Sequence, residues 1–156
     1  MKKVYKITTK ELTTYGGFKW EVGKWYKTSG MSPFCGRSWL HCYAHPDIAV
    51  LMNPIYGCYE DYILWEAEAK GEHRSDHGLK EGYTEMRLVK QIEIPVFTPV
   101  QKVAFARICV KKMDYKERIR SIPPRDDMDV AYAAHRSAKK KEIDFIALAK
   151  KCREYK

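Results

Sequence analysis

This sequence lacks the features that would mark a membrane protein or a common type of enzyme. No apolar run approaches the roughly 20 residues that a membrane-spanning helix needs. No apolar segment follows the basic residues Lys2 and Lys3, so we expect no secretory signal. The sequence contains no phosphate-binding glycine loop, no dinucleotide fingerprint and no nucleophile suitably spaced from a base. It therefore predicts no membrane span and no cofactor, and it assigns no catalytic residue.

Cysteines are few and widely spaced, which limits both disulfide and metal chemistry. The candidate metal ligands are Cys35, His41, Cys42, His45 and Cys58, and the remaining thiols are Cys109 and Cys152. Structural zinc sites normally contain two tight ligand pairs, and only Cys42 and His45 have a familiar gap. We therefore predict no metal site, and we expect the odd set of five cysteines to be reduced thiols in a cytoplasmic protein.

The positive charge is concentrated in the last third of the chain. Residues 1–99 contain 13 Lys and Arg against 12 Asp and Glu, a net charge of +1. Residues 100–156 contain 16 against 8, a net charge of +8, and the two parts together give the +9 of the whole chain. A near-neutral body joined to a basic tail is typical of proteins that bind a polyanion or an acidic protein surface.

The basic residues of this tail are the predicted binding site. Three interpretations of them remain open: a well-solvated helical surface, contact with phosphate backbones, and contact with an acidic or nucleic-acid-bound host protein. No helix-turn-helix and no RNA-binding signature is present, so any nucleic-acid binding should be sequence-tolerant. The predicted contact residues are Lys111, Lys112, Lys116, Arg118, Arg120, Arg125, Arg136, Lys139, Lys140, Lys141, Lys150 and Lys151.

Residues 4–95 are dominated by strand and turn signals. The run Tyr62–Ala69 predicts a strand that ends at Gly71, and residues 72–78 are polar enough to predict a loop. A proline in the first turn predicts a short helix beginning near Pro46. The sequence therefore predicts a small, mostly antiparallel sheet that carries one short helix.

The tail has clear helix signals. Thr98 and Gln101 form a capping box around Pro99, which predicts a helix from residue 99 to about residue 114. Asp126 or Asp127 can cap a further helix, and the final stretch has an apolar stripe formed by Phe145, Leu148, Ala149 and Cys152. We therefore predict an α+β fold, with a strand-rich domain at 1–96 and a basic helical region at 97–156 that is packed on or appended to it.

Motifs in the first two thirds of the chain resemble an uncharacterised domain found in bacteriophage and prophage proteins. The resemblance is carried by Gly17-Phe18, by the Glu-Val-Gly-Lys-Trp-Tyr run at 21–26, by Trp39–Cys42, by Pro46–Leu51 and by the strand end at 66–72. It covers roughly residues 4–95 and implies a phage-related origin. The family has no agreed activity, so the resemblance implies no reaction.

A phage-related origin suggests a second function, that of an inhibitor of a host defence protein. Such a protein acts by covering a surface and needs no active site. Basic clusters and aromatic anchors would then make the contact, because Tyr, Trp and Arg dominate binding hot spots. The candidate anchors are Tyr115, Tyr132 and Trp39.

The order of strands and helix also resembles the split-sheet fold of ADP-ribosyltransferases. In that family a first strand, an aromatic segment and a late glutamate line an NAD pocket. The resemblance implies that Tyr5, Tyr43 and either Glu66 or Glu68 would take these positions. It supplies a third, enzymatic hypothesis, although fold analogy alone does not establish an activity.

Overall fold

A computed structural model describes residues 1–111, 126–139 and 142–155 of the chain. The strands are β1 (Lys2–Thr9), β2 (Thr13–Thr14), β3 (Phe18–Lys19), β4 (Tyr26–Lys27), β5 (Leu40–Cys42), β6 (Tyr62–Asp76) and β7 (Lys80–Ile92). The helices are α1 (Pro46–Tyr56), α2 (Pro99–Lys111), α3 (Asp127–Ala138) and α4 (Phe145–Cys152). The predicted α+β class is confirmed, with three of these four helices following the sheet.

The main sheet is antiparallel and curls back on itself. Its path runs β1-β6-β7-β4, and β5 also pairs with β7. Tyr43, which directly follows β5, forms an antiparallel bridge with Tyr5 of β1, and each amide donates to the other carbonyl at 2.8 Å. The path from β1 through β6, β7 and β5 therefore returns to β1. Strands β2 and β3 form a separate two-stranded sheet.

The hairpin of β6 and β7 is longer than the sequence predicts. The prediction that Gly71 ends a strand and that residues 72–78 form a loop is wrong, because β6 continues to Asp76 after a register shift between Lys70 and His73. His77 and Gly78 both have positive φ, and the Leu79 amide donates to the Asp76 carbonyl at 3.0 Å. Positive φ at both central residues is typical of the tight turn that joins antiparallel strands.

Apolar side chains cover both faces of the sheet. On one face, Ile7 and Leu64 belong to a cluster with α1 and with the tail helices, represented by Phe105 and Phe145. The opposite face has a second cluster, which contains Val4, Trp20, Leu40, Cys42, Trp65, Ala67, Ala69, Tyr83, Met86 and Leu88. Because strand residues alternate between faces, Lys6 lies on the same face as Val4. That face is covered, so Lys6 is buried.

The predicted helix signals in the tail are confirmed. The Thr98 amide donates to Gln101 Oε1 at 3.0 Å, and the Gln101 amide donates to Thr98 Oγ1 at 3.2 Å. Asp126 caps α3 by accepting from the Asp129 amide at 2.9 Å. Of the predicted stripe in α4, Phe145, Ala149 and Cys152 are buried. The predicted extension of α2 beyond Lys111 lies outside the described residues.

The tail helices share a hydrophobic core with the body of the protein. Side chains of α2, α3 and α4 lie in the same cluster as Ile48 and Met52 of α1. Hydrophobic burial of this kind is the main favourable contribution to folding. None of the helices in residues 1–111, 126–139 and 142–155 has both the length and the apolar composition needed to cross a membrane.

Candidate functional site

Five of the predicted contact residues lie in the part of the chain that the structure describes. Lys111, Arg136, Lys139, Lys150 and Lys151 are all exposed. The other predicted residues, Lys112, Lys116, Arg118, Arg120, Arg125, Lys140 and Lys141, lie outside the described residues.

The fold separates these five cations into two groups. Helices α2 and α3 run side by side in the same direction, because Lys102 Nζ pairs with Asp127 at 2.6 Å at one end and Cys109 contacts Ser137 towards the other. Their carboxyl ends therefore lie together. We call the three exposed cations there, Lys111, Arg136 and Lys139, the basic helix-end cluster.

Lys150 and Lys151 lie elsewhere, at the end of α4. The Gln101 side-chain amide at the start of α2 donates to the carbonyl of Arg153 at 3.0 Å, just after α4. The carboxyl end of α4 therefore lies next to the start of α2. The basic helix-end cluster lies at the opposite, carboxyl end of α2. The described cations of the basic tail thus form two patches.

Cations in the body of the protein are more often paired with a carboxylate than those of the tail, where Lys102 and Arg153 are the paired cations among the described residues. Lys3 pairs with Glu66 at 2.6 Å, Lys10 with Asp61 at 2.7 Å, and Lys24, Lys27, Lys70, Arg87 and Lys90 also have carboxylate partners. Among the described residues, no carboxylate lies within 4.0 Å of the basic helix-end cluster or of Lys150 and Lys151. The tail therefore presents positive charge that the described part of the protein does not neutralise.

The aromatic anchors of the host-inhibitor hypothesis differ in their exposure to solvent. Trp39 is only 3% exposed, so its prediction as a surface anchor is wrong, and Tyr115 lies outside the described residues. Tyr132 on α3 is 48% exposed, one helical turn before Arg136. An exposed aromatic ring next to an unpaired cation can contact either a base or a protein partner.

The positions suggested by the ADP-ribosyltransferase resemblance do not form one site. Tyr43 is buried, and Tyr5 is half-buried beside it. Glu66 pairs with Lys3, and Glu68 accepts from Arg87 Nε at 2.8 Å and Nη2 at 2.6 Å. Of these four side chains, only Tyr43 lines the larger of two cavities formed by the described residues.

That cavity has a volume of about 620 Å³, within the usual range of small-molecule sites. We call it the cationic cleft. It lies beside the Tyr5–Tyr43 bridge, and its wall includes Lys6 of β1, Trp20, His41 of β5, Tyr43, Tyr56 of α1 and Lys80 of β7. A smaller hollow of about 330 Å³ between α2 and α4 is mostly apolar, with Ile108, Ile143 and Leu148 in its wall.

Two lysines in the cationic cleft are buried. Lys6 and Lys80 are 9% and 8% exposed. Lys6 Nζ donates to the His41 carbonyl at 2.5 Å, and Lys80 Nζ lies 3.5 Å from Cys35 Sγ. Burial lowers the pKa of Lys6 to about 8, and the positive charge of Lys80 acts in the same direction.

His41 contributes a neutral ring to the same wall. Its Nε2 lies 2.6 Å from the Phe34 carbonyl, which can only accept, so Nε2 carries the proton. Burial lowers the pKa of His41 to about 4, with the charges of Lys80 and Lys6 in the same direction. At neutral pH this ring therefore adds no charge, and the fixed positive charges of the cleft wall are those of the lysines and Arg37.

The sequence gives no signal for the cationic cleft. Its two buried lysines are more than 70 positions apart, and each is followed by residues typical of an ordinary strand. Of the candidate metal ligands, Cys42 is buried, whereas Cys35 and Cys58 are exposed. No group of three or more His, Cys, Asp or Glu side chains in the described ranges is arranged to hold a metal ion.

Comparison with known families matches the first two thirds of the chain to a family model. The model of DUF7666, a domain of unknown function, matches residues 2–99. The chain therefore belongs to the DUF7666 family. No curated protein and no solved structure shows significant similarity to it.

Proposed function

We propose that this protein binds nucleic acid without sequence preference, through the basic helix-end cluster and the basic residues that follow α2 and α3 in the chain. The observation that carries the proposal is the contrast in charge pairing. Seven of the thirteen cations in residues 1–99 have carboxylate partners, whereas Lys111, Arg136 and Lys139 have none among the described residues. Unpaired surface cations are the groups that replace counterions on a phosphate backbone.

The acidic residues of the tail support this interpretation. Asp126 and Asp144 cap the amino ends of α3 and α4, and Asp127 pairs with Lys102. Negative charge is thus placed at the starts of helices, where the helix dipole favours it. Glu142 and Asp144 line the hollow beside Ile108, near the carboxyl end of α2, but neither forms an ion pair with Lys111, Arg136 or Lys139, so these three cations remain available to a polyanion.

The DUF7666 region forms the body on which these helices pack, and the basic helices lie almost entirely outside the matched residues 2–99. We propose that the body serves mainly as a support for the tail in this function. We further propose a phage-related origin and a cytoplasmic location. The five cysteines are free thiols, as expected in a reducing compartment.

The test is a titration of the full chain with two unrelated DNA duplexes of equal length at several salt concentrations. Replacing Lys111, Arg136 and Lys139 by Gln should weaken binding to both duplexes by the same factor. The slope of log affinity against log salt should fall by about 0.9 for each contact removed. A triple variant at Lys10, Lys27 and Lys90 is the matched control, because it removes the same charge from ion-paired positions.

Equal affinity and equal salt slope in the wild-type protein and the helix-end variant would contradict the proposal. Affinity that is lost for one duplex and kept for the other would contradict sequence tolerance. Loss of binding in the body control would show that overall charge, rather than this cluster, is responsible.

A second candidate function is inhibition of a host defence protein by surface binding. The observation that favours it is the exposed Tyr132 ring one turn from Arg136, since this pair resembles a binding hot spot. A nuclease-resistant, stoichiometric complex with a purified host protein, weakened by Tyr132→Ala, would support this function. The ADP-ribosyltransferase hypothesis would require transfer from labelled NAD that is abolished in Tyr5 or Glu68 variants.

A further inference from the structure

The cationic cleft contains a buried positive charge that the described residues do not balance. Lys6 and Lys80 are both less than one-tenth exposed, and both line the cleft. No carboxylate of the described residues lies within 4.0 Å of either ammonium group. Burying a charge without a counter-ion is costly, so an arrangement with two such groups in one cavity calls for an anion.

Two acidic side chains of the β6–β7 hairpin, which also carries Lys80, have other partners. Glu81 follows Lys80 directly, but its carboxylate oxygens accept from Ser75 Oγ at 2.9 Å and contact His73 Nε2 at 2.5 Å. Asp76 accepts from the Tyr56 hydroxyl at 2.9 Å. The hairpin thus holds its own carboxylates away from the lysines.

Both ammonium groups retain hydrogen-bonding capacity. Each has three N–H donors. Among residues 1–111, 126–139 and 142–155, Lys6 has one acceptor, the His41 carbonyl, and Lys80 has only the weak acceptor Cys35 Sγ. A bound phosphate has oxygens enough to accept from both lysines at once.

Aromatic rings surround these cations. Lys80 Nζ lies 4.5 Å from the centre of the Tyr56 ring, and Lys6 Nζ lies 5.5 Å from that of Trp20. Tyr15, Phe18, Tyr43 and Tyr59 also line the cavity. Trp20 and Tyr43 are buried, but the exposed or half-buried rings of Tyr15, Phe18, Tyr56 and Tyr59 can stack on a planar ligand and tolerate different bases. At about 620 Å³, the cavity is large enough for a ligand that joins a phosphate to one base.

We propose that the cationic cleft binds a mononucleotide, with the phosphate on Lys6 and Lys80 and the base against the aromatic wall. The ligand class follows from the combination of two unbalanced cations and several rings in one cavity. No residue of the basic helix-end cluster lines the cleft, although the cleft residue Tyr56 lies 3.0 Å from His135 Nδ1 on α3, so the two binding activities can be tested with different substitutions.

The test is calorimetric titration of the full chain with AMP, GMP, CMP and UMP, together with adenosine and inorganic phosphate as partial ligands. We expect at least one nucleotide to bind about tenfold more tightly than adenosine or phosphate, because only the nucleotide uses both parts of the cleft. Lys6→Met and Lys80→Met should each weaken that binding by about tenfold, the usual effect of losing a charged hydrogen bond. Lys90→Met, which removes an equal charge from an exposed position, should leave it unchanged.

Several results would overturn the proposal. These are no nucleotide binding at millimolar concentration, no nucleotide that binds more tightly than adenosine and phosphate, or nucleotide binding that survives both cleft variants. The triple variant of the basic helix-end cluster separates the two sites. It should keep nucleotide binding while losing DNA binding, and loss of nucleotide binding in it would also overturn the proposal. Circular dichroism of each variant checks that a loss of binding is not a loss of fold.

Discussion

Arg153, just beyond the last helix, forms a two-pronged ion pair with the buried carboxylate of Asp47 in the first helix. Arg153 Nε donates to Asp47 Oδ2 at 3.0 Å, and Arg153 Nη2 donates to Asp47 Oδ1. The guanidinium group also lies 4.4 Å from the centre of the Phe97 ring. Asp47 is only 3% exposed, so this contact joins a buried carboxylate to a partly exposed guanidinium group 106 positions further along the chain.

The ion pair changes the interpretation of the tail. In the sequence, Arg153 is one more cation in a basic cluster next to Lys150 and Lys151. In the structure, it connects α4 to α1, and the shared core of α1 with Phe105 and Phe145 reinforces that connection. Removing the tail would expose this core, so point substitutions are the suitable probe of its charges.

Arg153→Met should destabilise the protein by roughly 2–3 kcal/mol, because it leaves the buried Asp47 carboxylate without its partner. This value is below the usual range for a fully buried pair, since the guanidinium group is partly exposed and partly screened. Urea denaturation followed by circular dichroism measures the change in the free energy of unfolding.

Lys150→Met is the matched control for Arg153→Met. It removes a positive charge from the same helix end, but Lys150 is exposed and has no ion-pair partner among the described residues. Its effect should stay within about 0.5 kcal/mol. Equal effects of the two substitutions would show that the Asp47–Arg153 pair does not stabilise the fold.

Gly71 provides a second prediction, because its conformation and its surroundings both exclude a side chain. Its φ is +83°, and a Cβ atom there would lie 2.3 Å from Thr84 Oγ1. The Thr84 hydroxyl oxygen accepts from the Glu72 amide at 3.0 Å, so it is held in place. Gly71→Ala should therefore combine backbone strain with a steric clash, and it should lower the free energy of unfolding by roughly 2–4 kcal/mol.

Substitution of Gly78 separates the contribution of backbone strain from that of the steric clash. Its φ is +79°, but a Cβ atom there would meet nothing within 4 Å. Gly78→Ala should cost only the strain, about 1 kcal/mol. Combining Gly71→Ala with Thr84→Ala should recover part of the loss at Gly71. Similar costs at both glycines, with no recovery in the double variant, would count against the clash.

Gly71 also illustrates which parts of the fold can be predicted from sequence. A capping box acts within one turn of chain, so Thr98 and Gln101 were sufficient to predict the start of α2. Whether β6 ends at Gly71 depends instead on pairing with β7, which is a tertiary contact. Ser75 and His73 look like loop residues in sequence, but Glu81 on the facing strand accounts for their place in the hairpin.

In the candidate sites, too, the features that depend on tertiary contacts cannot be predicted from the sequence. The exposure of Lys150 and Lys151 could be predicted, because the apolar stripe of α4 fixes which side faces the core. The division of the basic residues into two patches could not, because it depends on the relative directions of α2, α3 and α4. The burial of Lys6 also cannot be predicted from the sequence. Strand alternation places it opposite Ile7, but only the fold shows that Trp20 and its neighbours cover that face.

Lys6 gives the last prediction, which concerns the pH dependence of stability. Burial lowers its pKa from 10.5 to about 8 in the folded protein. Below about pH 8 the lysine is charged in both states, and the folded state bears the full cost of burying the charge, about 3 kcal/mol for a shift of this size. Between about pH 8 and pH 10.5, unfolding takes up a proton at Lys6, so its contribution to the free energy of unfolding rises with pH.

Lys6→Met keeps most of the length of the side chain and removes the charge, so this variant should be more stable than the wild-type protein at pH 7. Because the His41 carbonyl loses its donor, we expect a net gain of roughly 1–3 kcal/mol, shrinking steadily between pH 8 and pH 10. Burial also raises the pKa values of Tyr43 and Tyr56, but both residues are present in the two proteins and cancel in the comparison. Thermal or urea denaturation of both proteins at several pH values measures the difference, with Lys90→Met as the exposed control. Two outcomes would show that Lys6 is not a buried cation that destabilises the folded protein. One is a difference in the free energy of unfolding that does not change with pH, and the other is a Lys6→Met protein that is less stable than the wild-type protein at pH 7.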